Sequence, residues 1–244
     1  MRLLFTCTAM AAALAGAAVL AGCATIAPDY AASLANPARP AADSVRDADR
    51  HPAALMAFAG IKPGTVVAEL APGGGYYTRL LSLTVGPAGH VYTVGTRVSP
   101  AIEEWARVNP NVTQQVSQPG MALAPVPVDV VWTTLNYHDF KNNKVGDREL
   151  AAVMNDAAYK ALKPGGIYLI NDHQSAKGVG LTQTATLHRI EDVAVIREVE
   201  AAGFKLDGRS AVLAHPGDDH TLKVVETGIR GKTDQFVLRF RKPR

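Results

Sequence analysis

Three groups of residues have the types and spacing to do chemistry. The run Val66-Val67-Ala68-Glu69-Leu70-Ala71-Pro72-Gly73-Gly74-Gly75-Tyr76-Tyr77-Thr78 reads as strand, glycine turn and helix start. Such a turn lets backbone approach a ligand and aims the first helical N–H groups at it, although a plain tight connection uses the same residue types. One of Tyr76 and Tyr77 is expected to cover a ligand and the other to pack in the core. The second group is Asn136-Tyr137-His138-Asp139 after one apolar run and Asp172-His173 after another. Ligands of open α/β sheets sit beyond the carboxyl ends of the strands, where a histidine can take a proton from an attacking nucleophile. His138 is the first candidate base, with Asp139 beside it; the alternative is that both cap a helix or satisfy backbone groups. His188-Arg189 and Asp218-Asp219-His220 form the third group. His138, Asp139, Asp172, His173 and His220 could in principle join around a metal. None shows a compact spacing such as His-x-x-x-His, so no metal is expected.

The elements that must position these residues alternate. Thr65–Leu70, His90–Val94, Asp129–Thr133 and Ile167–Asn171 are short apolar, β-branched runs of the kind buried in parallel sheets. Helices are expected over Asp43–Ala59, interrupted at Pro52, and over Tyr76–Leu83, Leu150–Leu162 and His188–Ala202. Ala211–Leu213 and Phe236–Phe240 read as a closing pair of strands with no helix between, hence an antiparallel edge. Arg239, Arg241, Lys242 and Arg244 then read as a solvated edge with a basic tail.

Length and composition set the bounds. The chain has 244 residues, 48% hydrophobic and 19% charged, enough apolar mass for one core and too much for disorder. Its 25 basic and 22 acidic residues leave a scattered formal charge of +3, so no nucleic-acid partner is expected. The two cysteines, Cys7 and Cys23, leave the remainder without a disulfide or thiolate metal site. Arg2 is the only charge before Asp29, and Leu3–Ala21 is apolar or small apart from Thr6 and Thr8. That is the pattern of a secretory signal. It ends in Leu20-Ala21-Gly22-Cys23, which resembles the bacterial lipoprotein box. The resemblance implies cleavage before Cys23, lipid on Cys23 and a periplasm-facing place in the cell envelope. The organisation expected is a signal peptide over 1–22, a flexible Ala/Pro-rich tether over 23–42 and one domain over 43–244.

Further motifs join the glycine turn: Leu162-Lys163-Pro164-Gly165-Gly166 before a strand, Asp129-Val130-Val131-Trp132 leading into Asn136-Tyr137-His138-Asp139, and Val199-Glu200-Ala201-Ala202-Gly203-Phe204 before the last strands. Together, over about residues 46 to 244, they resemble class I S-adenosylmethionine-dependent methyltransferases. More narrowly, they resemble a bacterial predicted-methyltransferase group. The resemblance implies a Rossmann-like, doubly wound α/β fold: a seven-stranded, mostly parallel sheet with an antiparallel last strand. It implies S-adenosylmethionine as cofactor, held by Glu69, Ala71, Gly73, Gly75, Tyr76 and Asn136. It also implies a small-molecule or protein methyl acceptor, served by His138 and Asp139.

Departures bear on the cofactor rather than the fold. Gly95 stands where the family places the acid that holds the ribose hydroxyls, Gln114–Ala124 contains no acid for the adenine, and Ala71 replaces the first glycine. Losing one charged acceptor weakens binding by roughly tenfold to a hundredfold. A methyl donor made in the cytoplasm also fits poorly with a domain outside it. The alternative expectation is therefore a non-catalytic periplasmic binding or accessory protein that keeps the fold.

Overall fold

The apolar runs read from the sequence become the interior strands of one sheet. The computed structural model describes residues 28–226 and 228–244; the stretch 1–22 expected to be a signal peptide, and Cys23, lie outside the described residues. The described part opens with four short helices, α1 (Tyr30–Leu34), α2 (Ala41–Ser44), α3 (Asp47–Arg50) and α4 (Pro52–Ala59). Then come β1 (Val66–Leu70), α5 (Tyr76–Val85), β2 (His90–Gly95), α6 (Pro100–Val108), β3 (Val112–Val116) and β4 (Val128–Thr134). Next are α7 (Tyr137–Lys141), the hairpin β5 (Lys144–Val145) and β6 (Arg148–Glu149), α8 (Leu150–Ala161) and β7 (Leu162–His173). The last elements are α9 (Asp192–Ala201), β8 (Lys205–Ser210) and β9 (Gln235–Arg241).

The main sheet runs β3-β2-β1-β4-β7-β9-β8. β3, β2, β1, β4 and β7 pair in parallel, whereas β9 is antiparallel to both its neighbours. This is the expected seven-stranded α/β sheet with an antiparallel last strand. Strand order reverses between β1 and β4, which makes a crevice beyond their carboxyl ends. Both faces are covered. Val67, Val130, Trp132 and Leu169 pack on the side of α4, α5 and α6. Ala68, Val131, Tyr168 and Ile170 pack with Ala157, Val195 and Phe204 on the other. Double burial is why these strands read as unbroken apolar runs. Among the described residues no helix is long and apolar enough to cross a membrane.

The structure corrects several expectations. The closing antiparallel pair does form one edge of the sheet, but β9 lies on its inner side, and the outer strand β8 is Lys205–Ser210 rather than Ala211–Leu213. β8 alternates exposed and half-buried residues, so it has no apolar run to read. β3, at the opposite edge, has the polar sequence Val112-Thr113-Gln114-Gln115-Val116 and also went unread. The His188–Ala202 helix begins only at Asp192, because Ile190 first pairs with Gln174 as a β-bridge. The basic end is not simply solvated. Arg239 and Arg241 pair with Asp207, and Lys242 donates to the Tyr159 and Leu162 carbonyls.

The segment expected to be a tether is folded in its described part. The Tyr30 hydroxyl donates to the Ile61 carbonyl, and buried Ser33 accepts from Thr84 of α5. Arg39 is buried, donating to the Leu34 carbonyl and to both oxygens of Asp47. Prolines end regular helices but leave polar anchors free to bind the domain. A chain beginning at residue 43 should therefore lose about 1.5–3 kcal/mol, because half-buried Asp47 loses the charged hydrogen bonds from Arg39. Thermal melts should place it at least about 3 °C below a chain beginning at residue 28. Equal melting temperatures would restore the tether.

Candidate functional site

Four side chains or turns meet at the crevice because four strands end there. The first is the glycine turn after β1. Ala71 and Gly73 have φ of +49° and +58°, so the chain leaves the strand through left-handed residues. For Ala71 that conformation carries strain that a glycine would not. The Ala71 carbonyl accepts from Asn136 Nδ2 at 3.2 Å, which also donates to the Thr134 carbonyl at 2.6 Å. Asn136 thus ties the end of β4 to the end of β1. A Cβ on Gly73 or Gly74 would meet nothing within 4 Å, so the backbone there faces open space. Gly75 differs: at φ +80° its Cβ would stand 2.8 Å from Ile102 Cγ1. Gly75 is needed to close the turn on α6 and is not free to probe a ligand.

Glu69 sits at the end of β1 and is buried. Thr78 of α5 donates its hydroxyl to Glu69 Oε2 at 2.5 Å. Burial pushes this carboxyl up to about 8, opposed in part by the Thr78 hydrogen bond and by Arg79. Tyr76 is not a ligand cover. Its ring stacks edge-on against Tyr77, and its hydroxyl donates to Asp47 at 2.6 Å. Arg46 and Arg50 lie 5.0 and 4.8 Å from its ring centre. Tyr77 packs on Trp132, so both tyrosines are structural. Arg79 links the same region to the turn, donating to Asp43 and to the Gly74 carbonyl. Gly95 ends β2, where a Cβ would make only ordinary contacts, 3.6 Å from the Arg97 carbonyl and 4.0 Å from Pro72 Cδ.

The carboxyl ends of β4 and β7 carry the second half of the site. α7 is fixed by Tyr137, whose buried hydroxyl donates to Glu198 and accepts from Asn155. That anchoring turns His138 inward. Its backbone N–H donates to Asp172 Oδ2 at 2.8 Å and its Nδ1 lies 2.7 Å from Asp172 Oδ1. Asp172 is fully buried and also accepts from the His173 backbone. Burial would raise Asp172, but His138 and these donors hold it below the usual carboxylate range. Burial would likewise lower His138, but Asp172 outweighs it and the imidazole is raised. An ionised Asp172 can only accept, so His138 carries its proton on Nδ1 and presents Nε2 outward.

Nε2 meets two partners. It lies 3.2 Å from His188 Nδ1 and 3.4 Å from Asp139 Oδ1, and those two atoms are 3.2 Å apart. His188 was missed as a member of this group, because nothing in the linear spacing joins positions fifty apart. Its φ of +57° marks a residue outside a helix, held in place by its surroundings. His173 faces away to Thr233, and burial pushes its imidazole down to about 4. His220 pairs with Asp234, and Asp218 with buried Arg189. These groups staple the segment between β8 and β9 and do not join the site. The larger cavity, about 550 Å³, opens at the opposite ends of the strands around Lys62, Asp129, Lys163 and Arg241. It lies far from the crevice chemistry, and Lys163 there is paired with Asp129.

Comparison with solved structures places this fold. A SAM-dependent methyltransferase from Aquifex aeolicus is 18% identical, with 78% of this chain and 88% of that chain covered at a TM-score of 0.57. The [4+2]-cyclase SpnF is 14% identical, covering 80% and 81%, at 0.58. Aeropyrum pernix fibrillarin, solved with natively bound S-adenosyl-L-methionine, is 15% identical, covering 77% and 73%, at 0.50. No family model matches the sequence, and neither does any curated protein. The likeness establishes a Rossmann-like methyltransferase fold; the cyclase shows that the fold also carries other chemistry.

Glu69 gives a pH signature independent of any ligand. The native state keeps a proton that the unfolded chain releases near 4.5. The stability this contributes is complete below that value and is lost as pH rises toward about 8. The slope from this group is at most about 1.4 kcal/mol per pH unit. Denaturant unfolding between about pH 5 and pH 8 should show the decline in the wild type and a flatter profile in Glu69→Gln. Parallel profiles would mean that Glu69 is ionised in the fold.

Proposed function

We propose that the chain is an S-adenosylmethionine-dependent methyltransferase acting on an acceptor held over the ends of β4 and β7. The observation that carries this is the turn at the reversal of strand order: Gly73 and Gly74 face open space beside buried Glu69. The exposed backbone of Gly73 and Gly74, just before α5, suits the carboxylate of a methionine moiety. Asn136 keeps that mouth open by bracing the Ala71 carbonyl. S-adenosylmethionine, when bound, supplies an electrophilic methyl group on a sulfonium. The chain's part is to bind, to orient and to hold polar groups at the acceptor side, where His138 and Asp139 lie. Solved neighbours with the same fold include proteins described as SAM-dependent or as binding S-adenosyl-L-methionine.

Gly95 favours a second reading, in which the fold binds or assists without transferring a methyl group. No acid stands at the end of β2 for the ribose. The two readings separate on donor binding. A ligand at 100 times its Kd stabilises the native state by about 2.7 kcal/mol, so millimolar S-adenosylmethionine should raise the melting temperature. Gly74→Val should remove that shift and leave the unliganded melting temperature unchanged, since its side chain enters open space. Gly95→Asp should tighten binding roughly tenfold to a hundredfold. No shift in the wild type would sink the methyltransferase reading, and an equal shift in Gly74→Val would overturn the role given to the glycine turn.

The export proposal rests on Leu20-Ala21-Gly22-Cys23 after an apolar run. A lipid on Cys23 would hold the domain at a periplasm-facing membrane surface. Cys23→Ser should then abolish lipid labelling and release the protein from the membrane fraction. A wild-type protein that keeps residues 1–22 in the cytoplasm would overturn it.

A further inference from the structure

We propose that His138, Asp139 and His188 bind one divalent transition-metal ion, with Zn2+ the best fit. His138 Nε2, His188 Nδ1 and Asp139 Oδ1 form a nearly equilateral triangle with sides of 3.2, 3.2 and 3.4 Å. A tetrahedral ion bound at about 2.0–2.1 Å sets its ligand atoms about 3.3–3.4 Å apart. An octahedral ion at the same distance would draw them to about 2.8–3.0 Å. An ion about 2.1 Å from all three atoms sits about 0.9 Å off their plane and leaves its far side free.

The protons point the same way. With Nδ1 bonded to Asp172, His138 turns Nε2 toward the triangle, where its lone pair is open to a cation that displaces any proton there. Asp139 Oδ1 offers another. His188 Nδ1 completes the triangle. A cation satisfies all three at once. The support behind them is of the kind metal sites use. Asp172 fixes the ring and tautomer of His138 as a carboxylate behind a ligating imidazole. His188 is held at φ +57° on the segment before α9 rather than on a helix. His138 is buried while Asp139 and His188 are partly exposed, so an ion reaches the triangle from solvent.

Two imidazoles and one carboxylate with an open fourth position match sites that act on a ligand rather than closed structural ones. Zinc lowers the pKa of a bound O–H. The acceptor class that follows is a molecule with an ionisable hydroxyl or thiol; this last step rests on the methyltransferase reading, whereas the ion site does not.

The test uses Co2+ and Zn2+ alone on the chelator-treated protein. Co2+ should develop the visible spectrum of a tetrahedral site to one equivalent, and Zn2+ should displace it. His188→Ala and Asp139→Ala should each weaken uptake more than roughly a hundredfold, and Asp172→Asn roughly tenfold to a hundredfold. His220→Ala, whose imidazole pairs with Asp234, should change nothing. Unliganded melting temperatures of the His188 and Asp139 variants report folding separately, and His188→Gln and Asp139→Asn repeat the test at matched shape. No uptake at millimolar metal, or uptake equal in both ligand variants, overturns the site. S-adenosylmethionine titrated into the metal-free protein tells the failures apart: donor binding without metal uptake removes the ion alone, and metal uptake without donor binding leaves the ion and removes the acceptor assignment.

Discussion

The parallel pairing of β1 with β4 at the centre of the sheet is the constraint on which the rest depends. Both strands are covered by helices on each face, so their register is fixed by apolar burial on two sides. Strand order reverses between them, and the chain leaves both at the same end. Whatever residues follow β1 and β4 must then face one another across a gap. Glu69, Ala71 and the glycine turn stand on one side; Asn136 and His138 stand on the other. The hydrogen bond from Asn136 to the Ala71 carbonyl is the direct expression of that geometry.

Two buried carboxyls near this gap behave oppositely, and the difference lies in their donors. Glu69 has one hydroxyl donor and a distant arginine, too little to repay burial, so it is raised. Asp172 takes two backbone N–H groups and an imidazole, and stays low. One end of the site therefore carries a protonated carboxyl at neutral pH. The other end is a fixed anion that orients His138. The His138–Asp172 pair is rigid because both partners are buried and both are held by backbone as well as side chain.

The short helices before β1 couple the amino-terminal segment to the same site. Asp47 joins Arg39 to Tyr76, and Asp43 joins Arg79, whose guanidinium also reaches the Gly74 carbonyl. The glycine turn is thus braced from outside by residues that precede the sheet in sequence. The segment between β8 and β9 is braced in a similar way on the far side, through Arg189–Asp218 and His220–Asp234. Both are polar staples in places where few apolar side chains are available.

By itself the sequence determined the interior of this protein. Strands buried on two faces need continuous β-branched runs, so Thr65–Leu70 and Asp129–Thr133 were legible, and with them the α/β alternation and the glycine turn. The edges were not. β3 and β8 bury one face at most and read as polar segments. Ala24–Ala42 read as a tether because prolines erase helical periodicity, whereas Arg39 and Ser33 anchor its described part through polar contacts that no period reveals. The site divided along the same line. Gly73, Asn136 and His138 could be named because each follows a legible strand, and Glu69, inside one, through the family resemblance. Only the tertiary structure decided that Tyr76 belongs to the arginine cluster, that Gly75 is filled by Ile102, and that His188 joins His138 and Asp139. Those outcomes depend on segments tens of residues apart being brought within about 3 Å by the packing of α7 and the start of α9 against β7. Linear spacing carries no record of such distances.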